Sequence, residues 1–237
     1  MKYIVTFLLL IPSFFHAQVL ENYPEGQNFY DGGIVNLYKD LQTVLVEKGY
    51  TPCENKKEIY TVKILVDNDK TIKLVKDSDS LNIENNKCAY ETVRSALKYL
   101  NKWKPAEING KSHSALASFT FYPNAFFGNY KKGYDILNYA TPAEYPGGIN
   151  SFREQFYKNV NLRSFNFNGE VKTVLKFIIN REGVIEDISL EQSSGNADYD
   201  DMLIRSVKMI KKNWKPAKMH GQPVKFNFRL PIKVSDI

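Results

Sequence analysis

The chain contains two tryptophans, and both sit in the same four-residue box: Trp103-Lys104-Pro105-Ala106 and Trp214-Lys215-Pro216-Ala217. The boxes lie 111 residues apart (214 − 103). The preceding Arg-Ser pairs (205 − 94) and the following glycines, Gly110 and Gly221 (221 − 110), keep the same offset. Agreement at one fixed offset in three separate elements reads as a duplication. The 237 residues then divide into two units of about 100 residues, a usual domain size. A hydrophobic content of 43%, with 14% aromatics, supplies each unit with a core and excludes a disordered chain.

Each half spells the same order of elements. Tyr30-Asp31-Gly32-Gly33-Ile34 is echoed by Tyr145-Pro146-Gly147-Gly148-Ile149. Apolar residues then recur at helical spacing: Ile34, Leu37, Leu41 and Leu45 in one half, Ile149, Phe152, Phe156 and Val160 in the other. Two strand-like runs follow, residues 59–66 and 71–76 around Asp67-Asn68-Asp69-Lys70, and residues 171–179 and 184–190 around Asn180-Arg181-Glu182-Gly183. β-Branched runs around Asn/Asp/Gly turns predict hairpins. A second helix is expected over Tyr90, Val93, Leu97, Leu100 and Trp103, matched by Tyr199, Met202, Leu203, Ser206, Val207, Ile210 and Trp214, with Pro105 and Pro216 as stops. The last run alternates, with Val224, Phe226, Phe228, Leu230 and Ile232 on one face and Lys225, Asn227 and Arg229 on the other. The fold class is therefore α+β: two tandem copies of a three-stranded antiparallel sheet with both helices on one face, in the order α-β-β-α-β.

Pro231 lies inside the last run. A proline cannot donate to a sheet ladder, so this strand is expected at a sheet edge, where another chain can add. Cys53 and Cys88 are the only cysteines, and two readings stay open: one disulfide, or two buried thiols. Lys2 followed by the apolar run 3–15 reads as a signal peptide over residues 1–17, which places the protein in the periplasm or outside the cell; the alternative is an N-terminal membrane anchor. Removing that segment leaves a net charge of +5 (32 − 1 − 26), with lysines interspersed among acids. No nucleic-acid groove is expected from so dilute a charge. The stripe Lys208, Lys211, Lys212 and Lys215 reads as a solvated helix face. The acids of the Asp67–Asp69 turn lack a calcium loop's downstream Gly and Glu. His113 and His220 stand at non-equivalent places, and no nucleophile elbow, phosphate loop or clustered ligand set accompanies them. No enzyme, cofactor, metal or small-molecule substrate is expected.

The second half resembles the C-terminal domain of TonB, the periplasmic energy transducer of Gram-negative bacteria. The resemblance rests on Tyr145-Pro146, Gly169-Glu170-Val171, Arg181-Glu182-Gly183-Val184-Ile185, Ser193-Ser194-Gly195, Trp214-Lys215-Pro216-Ala217, Gly221-Gln222-Pro223-Val224 and Leu230-Pro231-Ile232, in that order. It implies a diverged copy at residues 18–123, an aromatic connector at 124–140 and a fuller copy at 141–237. It also implies protein binding rather than catalysis: an extended segment of a TonB-dependent outer-membrane receptor would add as a strand along Val224, Lys225, Phe226, Asn227, Phe228, Arg229 and Leu230. Full members carry a membrane anchor and a long Pro-rich spacer. This chain shows a short lead-in, so the resemblance implies binding capacity rather than force transmission. A homodimer is a further partner class. The alternative is a structural pseudo-dimer of the envelope or cell wall, whose two sheet edges pair with each other and leave no free edge.

Overall fold

The computed structural model describes residues 19–167 and 169–235, so the segment read as a signal peptide lies outside the described residues. The chain divides into two compact units, one ending at Tyr134 and one beginning at Asp135. The architecture is α+β, built from helices and small antiparallel sheets. Among the described residues, no helix is long and apolar enough to cross a membrane.

The first unit runs α1 (Gly33–Glu47), β1 (Tyr60–Val66), β2 (Ile72–Leu74), α2 (Ser80–Asn85), α3 (Lys87–Ala96), β3 (Ala106–Ile108), β4 (Lys111–His113) and β5 (Ala115–Phe121). Its main sheet has the order β2-β1-β5. The second unit runs β6 (Ala140–Thr141), α4 (Gly148–Asn159), β7 (Val171–Ile179), β8 (Ile185–Gln192), α5 (Ala197–Lys208), β9 (Ala217–Met219), β10 (Gln222–Val224) and β11 (Phe226–Val234). Its main sheet has the order β11-β7-β8, so β5 and β11 lie in different sheets. The starts of β3, β4 and β5 and those of β9, β10 and β11 all keep the offset of 111 (217 − 106, 222 − 111, 226 − 115).

Paired glycines open the first helix of each unit. Gly32 and Gly33 have φ of 72° and 73°, and Gly147 and Gly148 have 90° and 82°. Those are left-handed angles that glycine adopts without a Cβ penalty, and they turn the chain from an extended lead-in straight into a helix. In the second unit, α5 is started by Asn196, whose side chain accepts from Tyr199 N, with Asp198 and Asp200 in the first turn where acids favour the helix dipole. Phe152 and Phe156 of α4, Tyr199, Leu203 and Val207 of α5, and Leu175, Phe177, Ile179, Leu230 and Ile232 of the sheet form one buried cluster. Both helices therefore cover the same sheet face. In the first unit a disulfide joins Cys53 to Cys88, with Cα atoms 5.8 Å apart.

The tryptophan boxes do not end helices. α5 stops at Lys208, and α3 gives way at Leu97 to a short 3-10 turn ending at Tyr99. A continued α5 would stack Lys208 against Lys211 and Lys212 at positions i+3 and i+4, a repulsive arrangement. Trp214 instead lies in an extended segment: its N–H donates to Gly183 O at 2.8 Å, and its ring packs on Tyr145, Phe152 and Phe228 at 5.2, 5.0 and 5.2 Å. Gly183 has to be glycine, because a Cβ there would sit 1.9 Å from Trp214 O. The box also closes a backbone clasp. Lys215 and Glu144 exchange hydrogen bonds of 2.8 and 3.0 Å, and the first unit repeats the clasp in the same register, with Asp31 N to Lys102 O at 2.9 Å and Lys104 N to Phe29 O at 3.0 Å.

The last predicted strand is two strands. Val224 belongs to β10 and pairs with Ala217, and β11 begins only at Phe226. The hairpins β3–β4 and β9–β10 account for the break. They turn on Asn109-Gly110 and His220-Gly221, four residues with φ between 47° and 74°. Two consecutive positive-φ residues make the tight turn that matches strand twist.

Candidate functional site

A three-stranded sheet has two edges, and those of the second unit differ. β8 is irregular: its pairing with β7 shifts register twice, and Asp187 takes a φ of 54°. Such bulges blunt an edge against further pairing. β11 pairs with β7 over nine consecutive residues, from Phe226↔Ile179 to Val234↔Val171, with no shift. Pro231 sits within that unbroken register opposite Val174. A proline keeps a ladder intact only where its missing N–H would point away from the neighbour. Asn227, Arg229, Pro231 and Lys233 therefore turn their backbone groups outward, and Phe226, Phe228, Leu230 and Ile232 turn theirs to β7.

The first unit supports the same parity independently. At the offset of 111, Asn227 corresponds to Leu116, and Leu116 N donates to a residue outside its sheet, Leu20, at 2.9 Å. Along β11, then, the outward donors are the N–H groups of Asn227, Arg229 and Lys233. Among the described residues no chain segment bridges the outer side of this strand.

Of the residues singled out in the sequence, Phe226 to Leu230 lie on this edge strand, Lys225 at the joint before it, and Val224 in β10, away from the edge. Leu230 is buried and Phe226 and Phe228 half-buried. Phe228 stacks on Phe177 at 5.0 Å, which ties the edge strand to the core. Asn227, Arg229 and Lys233 are exposed. Ion pairs cross the solvent face of the sheet: Arg229 with Glu191 at 2.6 Å, Lys225 with Glu186 at 3.0 Å, and Lys233 with Glu170. The two lysine neighbours hold the Glu170 carboxyl below the ordinary glutamate value. Ion pairs this exposed add little stability, so the face is adaptable.

The remaining sequence candidates resolve simply. Lys215 of the basic stripe pairs with Glu144 at 3.0 Å, and the Lys212 ammonium lies 6.0 Å over the Tyr145 ring. In the hairpin turn, Asp67 pairs with Lys73 and accepts from Ser114, and Asp69 accepts from Thr71. Cys53, Cys88 and Glu58 lie close together, but the two sulfurs are bonded to each other and Glu58 accepts from Ala89 N at the start of α3. His220 stacks on Tyr139 at 4.1 Å, and burial lowers its pKa.

Residues 149–231 match the family model described as TonB C terminal. The match spans α4 through most of β11 and includes the whole edge except its last three residues. No curated protein and no solved structure matches the chain.

Proposed function

We propose that the second unit is a TonB-like, non-catalytic binding domain of the cell envelope. It takes up an extended segment of another envelope protein as a fourth strand beside β11. The partner class is the outer-membrane transport receptors. The observation that carries this reading is the contrast within one sheet: β8 is bulged, whereas β11 presents an unbroken edge with outward donors at Asn227 and Arg229. Strand addition uses such backbone groups for affinity and side-chain pockets for selectivity. The family match of residues 149–231 supports the placement in the envelope and the binding role. The first unit is read as a diverged copy, on the strength of the 111-residue offset shared by six strands and the repeated clasp.

The test is Asn227→Pro. Position 227 faces outward, so the substitution removes one donor from the edge without taking a bond from β7. Binding of peptides from outer-membrane receptors, followed by NMR titration of the full chain, should weaken by about tenfold, the worth of one backbone hydrogen bond. The amide pattern of β7 should stay unchanged. Undiminished affinity in the folded variant would sink the reading.

A further inference from the structure

The first unit has the corresponding edge on β5, and there the chain itself lies against it. Leu20 N donates to Ser114 O at 2.9 Å and Leu116 N donates to Leu20 O at 2.9 Å, a parallel bridge between Leu20 and Ala115. The segment behind Leu20 is fastened to the tryptophan box and to β3. The Tyr23 phenol donates to Lys104 O at 2.8 Å. The Gln27 side chain donates to Glu107 O at 2.7 Å and accepts from Glu107 N at 2.8 Å, as a neighbouring strand would. Phe29 stacks on Phe119 at 6.5 Å, and burial pushes the Tyr23 phenol up to about 12. At the far end of β5 the outward carbonyl of Thr120 is taken by the Tyr38 phenol at 2.7 Å. The edge is closed at both ends.

We propose that the outer edge of β5 between Ser114 and Leu116 is a second acceptor site for an extended peptide, and that residues 19–21 of this chain are its resident ligand. The site accepts a segment running parallel to β5, with an apolar side chain in the place of Leu20, which is half-buried there. Two backbone bonds set the polarity and register of whatever occupies it. The Tyr23 and Gln27 contacts hold the lead-in close by, so the resident segment outcompetes a free peptide through its high local concentration. The site opens to an outside segment only when the lead-in is drawn off. This inference stands on the first unit alone and does not depend on the reading of β11.

Hydrogen exchange and peptide titration of the full chain test it. In the intact chain the Leu116 amide is protected. In a variant whose residues 19–22 are replaced by Gly-Ser-Gly-Ser, protection of Leu116 falls by about tenfold, the loss of a single backbone hydrogen bond. Ala117 and Phe119, which turn toward β1, stay protected and show that the unit is folded. A synthetic peptide of residues 19–25, added at millimolar concentration, then restores Leu116 protection and shifts its amide signal in the variant, but not in the intact chain. Leu20→Pro, which removes the donor to Ser114 O and so loosens the bridge whose other bond, from Leu116 N to Leu20 O, protects Leu116, is a second variant read at the same amide should the first lose protection at Ala117 and Phe119. Equal Leu116 exchange in the intact and folded variant chains, or a folded variant that ignores the peptide, overturns the proposal.

Discussion

β5 and β11 begin 111 residues apart and hold the same place in their units, yet their outer sides differ. β5 is seven residues long, with Leu20 bridged to its start and the Tyr38 phenol on Thr120 O at its end. β11 is nine residues long, and no described segment bridges its outer side. The Tyr38 position of α1 is matched in α4 by Arg153, whose exposed side chain lies near Asn150 and makes no such closure. Around these edges the frame is the same twice: paired left-handed glycines, a tryptophan on the tyrosine of the lead-in, and a clasp in one register. The comparison teaches that the frame fixes where an edge lies, and a few residues outside the frame decide whether it is open.

The largest difference between the units comes from the disulfide. It closes a loop of 35 residues in the first unit only, and in the chain-entropy model a loop of that size is worth about 4 kcal/mol. The double variant Cys53→Ser, Cys88→Ser should lose about that much stability in the first unit, read from denaturant dependence of its amide exchange. Amides of β7 should be unmoved. Equal losses in both units would break the claim that each has its own core.

A smaller effect separates the two tryptophans. The Trp103 indole donates to Leu100 O at 2.8 Å, whereas the buried Trp214 indole N–H has no partner among the described residues. Trp103→Phe leaves a buried carbonyl without its donor, a cost of about 1–3 kcal/mol beyond the lost ring area; Trp214→Phe carries no such term. Urea denaturation of the two variants should therefore rank Trp103→Phe as the more damaging. The reverse ranking would mean that the two boxes are not equivalent in packing.

The smallest effect is a pH dependence that Asp200 gives to the second unit. Partial burial works to raise the Asp200 carboxyl, but hydrogen bonds from Ser193, Ser194 and the Ser194 backbone outweigh it and hold the pKa below the ordinary aspartate value. A carboxyl with a lowered folded pKa stabilises above its unfolded value, near pH 4, and loses that contribution as pH falls through the folded value. Protection of α5 should accordingly decline below about pH 4, and Asp200→Asn should remove that pH dependence. At the start of α3 the corresponding support comes from Glu58, which accepts from Ala89 N.

The longer helices and strands were legible in the sequence because each carries a local period, whereas the six-residue α2 (Ser80–Asn85) is too short to show one and was not expected. Leu37, Leu41 and Leu45 mark α1, and Thr173, Leu175, Phe177 and Ile179 alternate along β7; all of these are buried. Pro231 also pointed correctly to an edge strand, since one missing donor constrains position without any partner being known. The tryptophan boxes misled because a helical spacing of apolar residues continues from Val207 through Ile210 to Trp214 after the helix itself has stopped. Repulsion among Lys208, Lys211 and Lys212 and the docking of Trp214 on Gly183 override the period. The β3–β4 hairpin carried a readable sign, Asn109-Gly110. The His220-Gly221 turn carried a weaker one, and the alternation from Val224 through Phe226 hid the break at Lys225. The clasps and the Leu20 bridge left no local trace, because backbone pairing across 70 or more residues does not depend on which side chains sit there.

The most direct measurement is hydrogen exchange of the intact chain with no partner present, comparing the amides of Leu116 and Asn227. The account predicts that Leu116, bonded to Leu20, exchanges about tenfold more slowly than Asn227, whose N–H faces solvent, while Phe119 and Phe228 are both protected by their inner neighbours. Equal protection of Leu116 and Asn227 would mean that β11 is already covered, and would contradict the claim that the two units differ at their edges.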